Sequence, residues 1–217
     1  MMLSDTDRER LSRAIKDGEA RSSAELVLVV ADACGGYGLF ALLWPALAAL
    51  VVGGIMALAA PQLPSWNSAP RLFLAEAGVF AVLAAALQWS RALLRLVPRH
   101  VRRAHAQQVA EHQFALRVQG RTAASTGVLL LVALAERQVF VLPDTGISCV
   151  IDAAAWHGVV DRLVADMGAG PPAEAISGAI AQTVALLERH FPPTGEARGA
   201  LSDEVIELSA GSRIDRL

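Results

Sequence analysis

Two long apolar stretches near the middle of the chain interrupt a pattern that otherwise predicts a soluble α/β protein. No charged residue occurs between Asp32 and Arg71, and this interval contains an apolar run over 37–60. A second apolar run covers 72–90. Because roughly 20 apolar helical residues cross the hydrocarbon core of a bilayer, the pattern predicts a transmembrane helical hairpin over 37–97.

Two features inside the hairpin bear on how its helices meet. Gly53 and Gly54 fall in the first run and would allow the two helices to approach closely. Glu76 falls early in the second run, and an acidic residue in a membrane span is a candidate functional group. The alternative interpretation is that its carboxylate reaches the headgroup region near the end of the span.

The polar segments on either side of the hairpin predict amphipathic helices and short buried strands. The strands are continuous runs of apolar and β-branched residues, a pattern typical of strands that are covered on both faces. The predicted elements are a helix over 4–18, a strand over 24–30, a helix over 99–120, strands over 128–134 and 138–142, and helices over 152–167 and 172–191. This order predicts a three-layer α/β/α sandwich with a small mixed sheet, interrupted by the two-helix transmembrane hairpin.

The same pattern defines four regions. Residues 1–36 form the first part of the sandwich, 37–97 the hairpin, 98–191 the remainder of the sandwich, and 192–217 a C-terminal tail. Glycine, proline and charge in the tail predict mobility, and its segment LSDEVIEL is either a short docking strand or disordered.

Charge near the ends of the apolar runs predicts the orientation of the hairpin. Basic residues cluster before the first run and after the second, whereas the connection between the runs has only Arg71. By the positive-inside rule both termini lie in the cytoplasm, with two spans in a bacterial inner membrane. The residues expected at the membrane interface are Tyr37, Trp66, Trp89, Arg99, Arg102 and Arg103.

The candidate chemistry is limited to carboxylates at the ends of predicted elements. Asp32 follows the first strand, Asp144 follows the third, and Asp152 precedes a helix. If these three converge at one edge of the sheet, they could hold Mg²⁺ or Ca²⁺. The alternative is that Asp32 marks the bilayer boundary, Asp144 makes a turn and Asp152 caps a helix, with no cofactor bound.

Other function classes lack a signal in the sequence. The chain has no P-loop, G-x-S-x-G or H-E-x-x-H motif. Its net charge of -2 is the opposite of the basic footprint of a nucleic-acid-binding domain.

Three segments together resemble the TPM domain family, the group that includes TLP18.3, Psb32 and MOLO-1. They are the opening helix with RSSAELVLVV, the segment AEHQFALRVQG leading into STGVLLLVALAERQVFVLPDTGI, and the pair of closing helices. The resemblance implies a membrane-attached sandwich. Some members are associated with acid phosphatase activity or divalent metal binding, and others with accessory roles in membrane complexes.

One departure from the family pattern affects the expected function. Where the family commonly has an Asp-Asn-Gly turn before the second strand, this chain has Ser125, Thr126 and Gly127. Hydroxyl groups are poorer ligands for hard cations than carboxylates. The sequence therefore favours a non-catalytic module that recruits or stabilises a membrane protein complex, with the lipid bilayer and another membrane protein as partners. The alternative is a divalent-metal-dependent phosphatase at the membrane surface.

Overall fold

The computed structural model describes residues 3–35, 37–59, 69–89, 96–122, 124–193, 201 and 204–208. The chain divides into two compact units, one formed by Met1–Gly35 with Arg102–Leu217 and the other by Gly36–Val101. The segments before and after the hairpin therefore belong to the same compact unit. The helices are α1 (Asp5–Glu19), α2 (Gly38–Ala59), α3 (Ala69–Trp89), α4 (Arg99–Arg117), a short turn α5 (Thr145–Ser148), α6 (Ala153–Ala169) and α7 (Pro172–His190).

The first unit contains a four-stranded mixed sheet. Its strands are β1 (Glu25–Ala31), β2 (Gly127–Ala133), β3 (Gln138–Pro143) and β4 (Ile206–Leu208), in the spatial order β3-β2-β1-β4. β1 pairs in parallel with both β2 and β4, whereas β2 and β3 form an antiparallel hairpin. Part of the segment LSDEVIEL therefore forms a docking strand. The remainder of the predicted tail lies mostly outside the described residues.

Helices cover both faces of the sheet, so the predicted three-layer sandwich is confirmed. All residues of β1 and β2 are buried, and their side chains alternate between two apolar clusters. Leu28 and Leu130 belong to the larger cluster, which also contains residues of α1, α6 and α7. Val29 and Leu131 belong to the smaller cluster, on the side of α4.

Local signals explain where several helices begin. Ser4 and Asp7 form a reciprocal capping box at the start of α1, in which each side chain accepts a hydrogen bond from the other residue's backbone N–H. Asp152 caps α6 by accepting from the backbone N–H of Ala154. Pro172 opens α7, where a missing backbone N–H has no cost.

The second unit consists of α2 and α3 packed against each other. Both helices are long and apolar enough to cross a bilayer. Within their most apolar windows, 17% of the residues in α2 and none in α3 are buried. Gly53 makes room for Glu76, since a Cβ at Gly53 would lie 3.0 Å from the carboxyl carbon of Glu76.

Candidate functional site

The predicted carboxylate cluster is not assembled. β1 and β2 run in parallel, and β3 runs in the opposite direction. Asp32 therefore follows the carboxyl end of β1, whereas Asp144 follows β3 at the other end of the strands. A seven-residue strand at about 3.3 Å per residue separates the two ends of the sheet's strands by roughly 20 Å. Among the described residues no group of three or more His, Cys, Asp or Glu side chains could hold a metal ion. The expectation that Asp32, Asp144 and Asp152 converge is therefore wrong.

Asp144 stabilises the junction between β3 and the short turn that follows. Its carboxylate is buried, and it accepts hydrogen bonds from the backbone N–H of Thr145 at 2.7 Å and of Gly120 at 3.2 Å. The second bond ties the loop after α4 to this edge of the sheet. Asp152, by contrast, is exposed at the start of α6. Asp144 thus stabilises a turn and Asp152 caps a helix, which is the alternative to metal binding that the sequence left open.

A buried carboxylate and a buried thiol lie at the carboxyl edge of the parallel strands. Cys34 follows β1, and its backbone N–H donates to Oε1 of Glu136 at 2.9 Å. Burial, with the nearby Glu136 charge as a smaller cause, raises the pKa of the Cys34 thiol to about 12. A thiol with such a pKa stays protonated at neutral pH and is a poor nucleophile.

The residues predicted at the membrane interface differ in exposure, and the structure describes only some of them. Tyr37 is buried, Arg99 and Arg103 are exposed, and Arg102 is half-buried. Trp66 lies outside the described residues, and so does the side chain of Trp89.

A groove of about 550 Å³ lies between β3 and α6 in the first unit. Its apolar wall is made by Val139, Val141, Ile151, Trp156, Val160 and Val164. A cavity of this volume is in the range of ligand-binding clefts. We refer to it as the β3–α6 groove.

Charged and polar side chains occur at defined positions along the β3–α6 groove. Arg137 immediately precedes β3 in a left-handed turn conformation with φ 53°, so it lies at the Gln138 end of the groove. Arg103 lines the groove from the start of α4. The far end of α4 is tied to Asp144, which places Arg103 toward the same end as Arg137. His157 and Asp161, on α6, also line the groove.

The indole of Trp156 adds an unused hydrogen-bond donor to the groove wall. Trp156 is 5% exposed, and its Nε1 atom is buried without a hydrogen-bond partner in the described structure. Buried donors of this kind are uncommon, since leaving one unsatisfied costs about 1 to 3 kcal/mol.

β3 is the last strand in the order β3-β2-β1-β4, and no strand among the described residues pairs with its outer side. The backbone N–H of Asp144 donates to Gly127, and bonding in an antiparallel ladder alternates along the strand. The N–H and C=O groups of Val139 and Val141 therefore point away from β2. On the other side of the sheet, β4 pairs with β1 and covers the edge that β1 would otherwise expose.

Comparison with known proteins supports the resemblance seen in the sequence. Residues 96–186 match the family model described as the TPM domain. The segment from α4 into α7 is therefore similar to the TPM domain. The matched region starts after α3 and extends from the start of α4 into α7, whereas α1 and β1 complete the same folded unit from the other side of the hairpin.

A solved structure has a similar fold. The NMR structure of BA42 protein from the psychrophilic bacterium Bizionia argentinensis matches with a TM-score of 0.56 and 13% sequence identity, covering 95% of this chain and 96% of that chain. At this identity the likeness concerns the fold alone. No curated protein matches the sequence significantly.

Residues 125–127, where the sequence departs from the turn that the family resemblance predicts, have a defined conformation. Ser125 adopts a left-handed conformation with φ 51°, and its carbonyl accepts from the backbone N–H of Gly146 at 3.0 Å. A Cβ at Gly146 would overlap the carbonyl oxygen of Ala124. The loop before β2 is thus packed closely onto the turn after β3.

Sequence reasoning identified the elements of the groove but missed the groove itself. The helix predicted over 152–167 contains Trp156, and Arg137 falls between the strands predicted over 128–134 and 138–142. The sequence predicts Arg103 at the membrane interface and does not place these three residues around one groove. The signal that could have revealed the groove is the strand QVFVLP, which contains no charged residue although it ends a hairpin.

Proposed function

We propose that this protein is a membrane-anchored TPM module, without catalysis of its own, that recruits or stabilises a membrane protein complex. The observation that carries the proposal is the β3–α6 groove, which runs along an uncharged free strand edge. A free apolar edge invites strand pairing and is usually protected by charge or by a covering element.

The membrane anchor in this proposal is the pair α2 and α3. Large apolar side chains are exposed along both helices, including Leu50 and Leu58 on α2 and Phe73 and Val82 on α3. Water disfavours such a surface, whereas the hydrocarbon core of a bilayer accommodates it. We place the hairpin in a bacterial inner membrane with both termini in the cytoplasm, where basic residues such as Arg99, Arg102 and Arg103 would face anionic headgroups.

The alternative, a divalent-metal-dependent phosphatase that uses Asp32, Asp144 and Asp152, has less support. A metal-assisted reaction at a phosphate needs ligands that surround the same ion. Asp32 and Asp144 lie at opposite ends of the sheet's strands, and both oxygens of Asp144 accept backbone hydrogen bonds.

A photo-crosslinking experiment in cells tests the recruitment proposal. A photoreactive residue replaces Val164, which is 44% exposed and lines the groove, or Leu116, which is 48% exposed on α4. We expect Val164 to give a discrete crosslinked membrane protein and Leu116 to give none. Equal products from both positions, or none from either, would contradict the proposal.

Two further measurements separate the anchor from catalysis. Replacing residues 38–95 with a Gly/Ser linker should move the protein from the membrane fraction to the soluble fraction, and continued sedimentation with membranes would refute the anchor. The purified full chain should not hydrolyse p-nitrophenyl phosphate with Mg²⁺, Mn²⁺ or Ca²⁺. Hydrolysis that Asp144→Asn abolishes would instead favour the phosphatase.

A further inference from the structure

We infer that Glu76 binds a basic side chain, lysine or arginine, from a transmembrane helix of a partner protein. The binding site is formed by Glu76 on α3 with Gly53 and Gly54 on α2, and we call it the Glu76 notch. The inference rests on the proposed membrane anchor and specifies the chemistry by which the hairpin recognises a partner. The position of the carboxyl group, its charge and the surface beside it lead to this site.

The carboxyl group of Glu76 lies between the two apolar helices. A Cβ added at Gly53 would lie 3.0 Å from the carboxyl carbon, 3.1 Å from Oε2 and 3.2 Å from Oε1, so the whole group lies against the backbone of α2. At about 1.5 Å per residue, Glu76 is roughly 10 Å from the start of α3, and Gly53 is roughly 9 Å from the end of α2. Both helices therefore place the carboxyl group inside the hairpin and directed at α2.

The apolar runs contain no basic residue that could balance the charge of Glu76. Residues 33–70 have no charged side chain, and Glu76 is the only charged residue in 72–90. Arg71 precedes Glu76 by five positions, whereas residues three or four apart share a helix face. Within the part of the chain that the structure describes, no hydrogen bond or ion pair reaches the Glu76 carboxyl group. An acidic group inside a bilayer is costly unless it is paired, so a partner has to supply the opposite charge.

Charge complementarity favours a different protein over a second copy of this chain. A second copy would bring another Glu76 carboxylate to the notch, and its Arg71 would lie roughly 7.5 Å nearer the start of α3. Like charges repel, whereas a carboxylate attracts a guanidinium or ammonium group strongly where water is excluded. A basic residue within a membrane span is itself costly and gains from the same pairing. The expected occupant is therefore a helix that carries a lysine or arginine inside the membrane.

The surface beside the carboxyl group can admit such a helix. Glu76 is half-buried, so part of its side chain is accessible. Gly54 is exposed, and a Cβ added there would meet nothing within 4 Å. Small residues let helix backbones approach closely within a membrane. A partner helix that crosses α2 at the two glycines can thus bring its basic side chain to Glu76.

Model transmembrane peptides test the inference with the full chain in phosphatidylcholine vesicles. Each peptide is a leucine-rich helix of about 23 residues with one arginine, placed at a different depth in each peptide, and the control peptide has leucine instead. Energy transfer between a dye on the exposed thiol of Cys149 and a dye on the peptide measures association. We expect association to be strongest when the arginine lies roughly 10 Å from the outer end of the peptide, at least about tenfold above the leucine control.

Variants of Glu76 assign the association to its carboxylate. Glu76→Leu should abolish the preference for arginine, and Glu76→Gln, which keeps a polar side chain without the charge, should reduce it. The control Glu76→Leu/Val82→Glu moves the carboxylate roughly 9 Å along α3, to a position that is 69% exposed. This control should not restore the preference at the original depth.

Two glycine variants test the notch itself. Gly54→Leu should weaken association with the arginine peptide, because the new side chain covers the surface beside Glu76. The matched control is Gly78→Leu on α3, where an added Cβ also meets nothing within 4 Å. Gly78 is two positions from Glu76, on a different side of the helix, so this variant should leave association unchanged. Equal effects of the two leucines would contradict the proposed location.

Four results would overturn the inference. They are equal association of the arginine and leucine peptides, equal association at every arginine depth, an arginine preference that survives in Glu76→Leu, and self-association of the chain that depends on Glu76 without any arginine preference. The last result would identify a second copy as the occupant. Flotation of the vesicles shows beforehand whether the chain is embedded. A chain that does not float refutes the anchor and the notch together, whereas a floating chain without arginine preference refutes the notch alone.

Discussion

Arg8 and Glu207 join the two ends of the chain by a bidentate ion pair. Nε and one terminal nitrogen of Arg8 donate to the two carboxylate oxygens of Glu207, both at 2.7 Å. Arg8 belongs to α1 and Glu207 is the central residue of β4. The pair therefore fastens a three-residue strand, too short to hold its place by its backbone bonds alone, to a helix that packs in the main core.

We predict that Glu207→Gln loosens β4 without unfolding the sandwich. The amide replaces one of the two acceptor oxygens with a donor and removes the negative charge, so the bidentate ion pair with Arg8 is lost while the core clusters remain intact. Amide hydrogen exchange should accelerate at 206–208 and stay unchanged in β1 and β2. The control Arg13→Gln, which breaks an exposed pair with Glu9 on the same helix, should leave exchange in β4 as it is. Uniform acceleration across the sheet would show that β4 is part of the cooperative core.

The contact between α1 and α7 depends on Gly18. A Cβ at this position would overlap Cγ2 of Val184, so Gly18→Ala forces the helices apart. Overpacking costs about 1 to 3 kcal/mol, and the helix-propensity gain of alanine is small so near the end of α1. We expect urea denaturation to show a lower free energy of unfolding.

Two variants check that steric interpretation of Gly18. The double variant Gly18→Ala/Val184→Ala should recover part of the lost stability, because the smaller side chain frees the space. Gly178→Ala, on α7 with nothing near its added Cβ, should maintain or raise stability. If Gly178→Ala destabilises as much as Gly18→Ala, the overlap is not the cause.

The two cysteines should differ sharply in reactivity. Cys149 is exposed and Cys34 is buried, with the Cys34 pKa raised to about 12 by burial and by Glu136. We expect a thiol reagent at pH 8 to label one thiol per native chain, and none in Cys149→Ser until the protein is unfolded. Rapid labelling of native Cys149→Ser would contradict the burial of Cys34.

The raised pKa also predicts an alkaline loss of stability. Between the ordinary thiol pKa of 9.0 and about 12, the unfolded chain releases a proton that the folded chain retains. The contribution of Cys34 is thus complete below pH 9 and declines as the pH rises toward 12. The stability of Cys34→Ala, measured by urea denaturation, should fall less steeply over this window than that of the wild type. Parallel curves would argue against the shift.

Trp156 should tolerate loss of its N–H better than loss of its ring. Trp156→Phe removes a buried donor that has no acceptor, so we expect a change in unfolding free energy within about 1 kcal/mol. Trp156→Ala should cost about 3 to 5 kcal/mol because it leaves a cavity in the core. Chemical denaturation of both variants makes the comparison. A phenylalanine variant as unstable as the alanine variant would mean that Nε1 has an acceptor.

Local physical chemistry explains why much of the fold could be predicted from the sequence. The apolar runs identified α2 and α3, the helical period and the caps Ser4 and Asp152 identified α1 and α6, and the continuous apolar runs identified β1 and β2. Each of these signals depends on neighbouring residues alone.

Only the tertiary structure decided which distant residues meet. The direction of β3 relative to β1 separated Asp32 from Asp144, and the pairing of β4 with β1 left β3 as the free edge. Strand order and strand direction arise from long-range pairing, which a residue pattern does not encode position by position. For that reason the sequence determined the elements and the three layers, whereas the groove and its two arginines came into view only when the sheet was assembled.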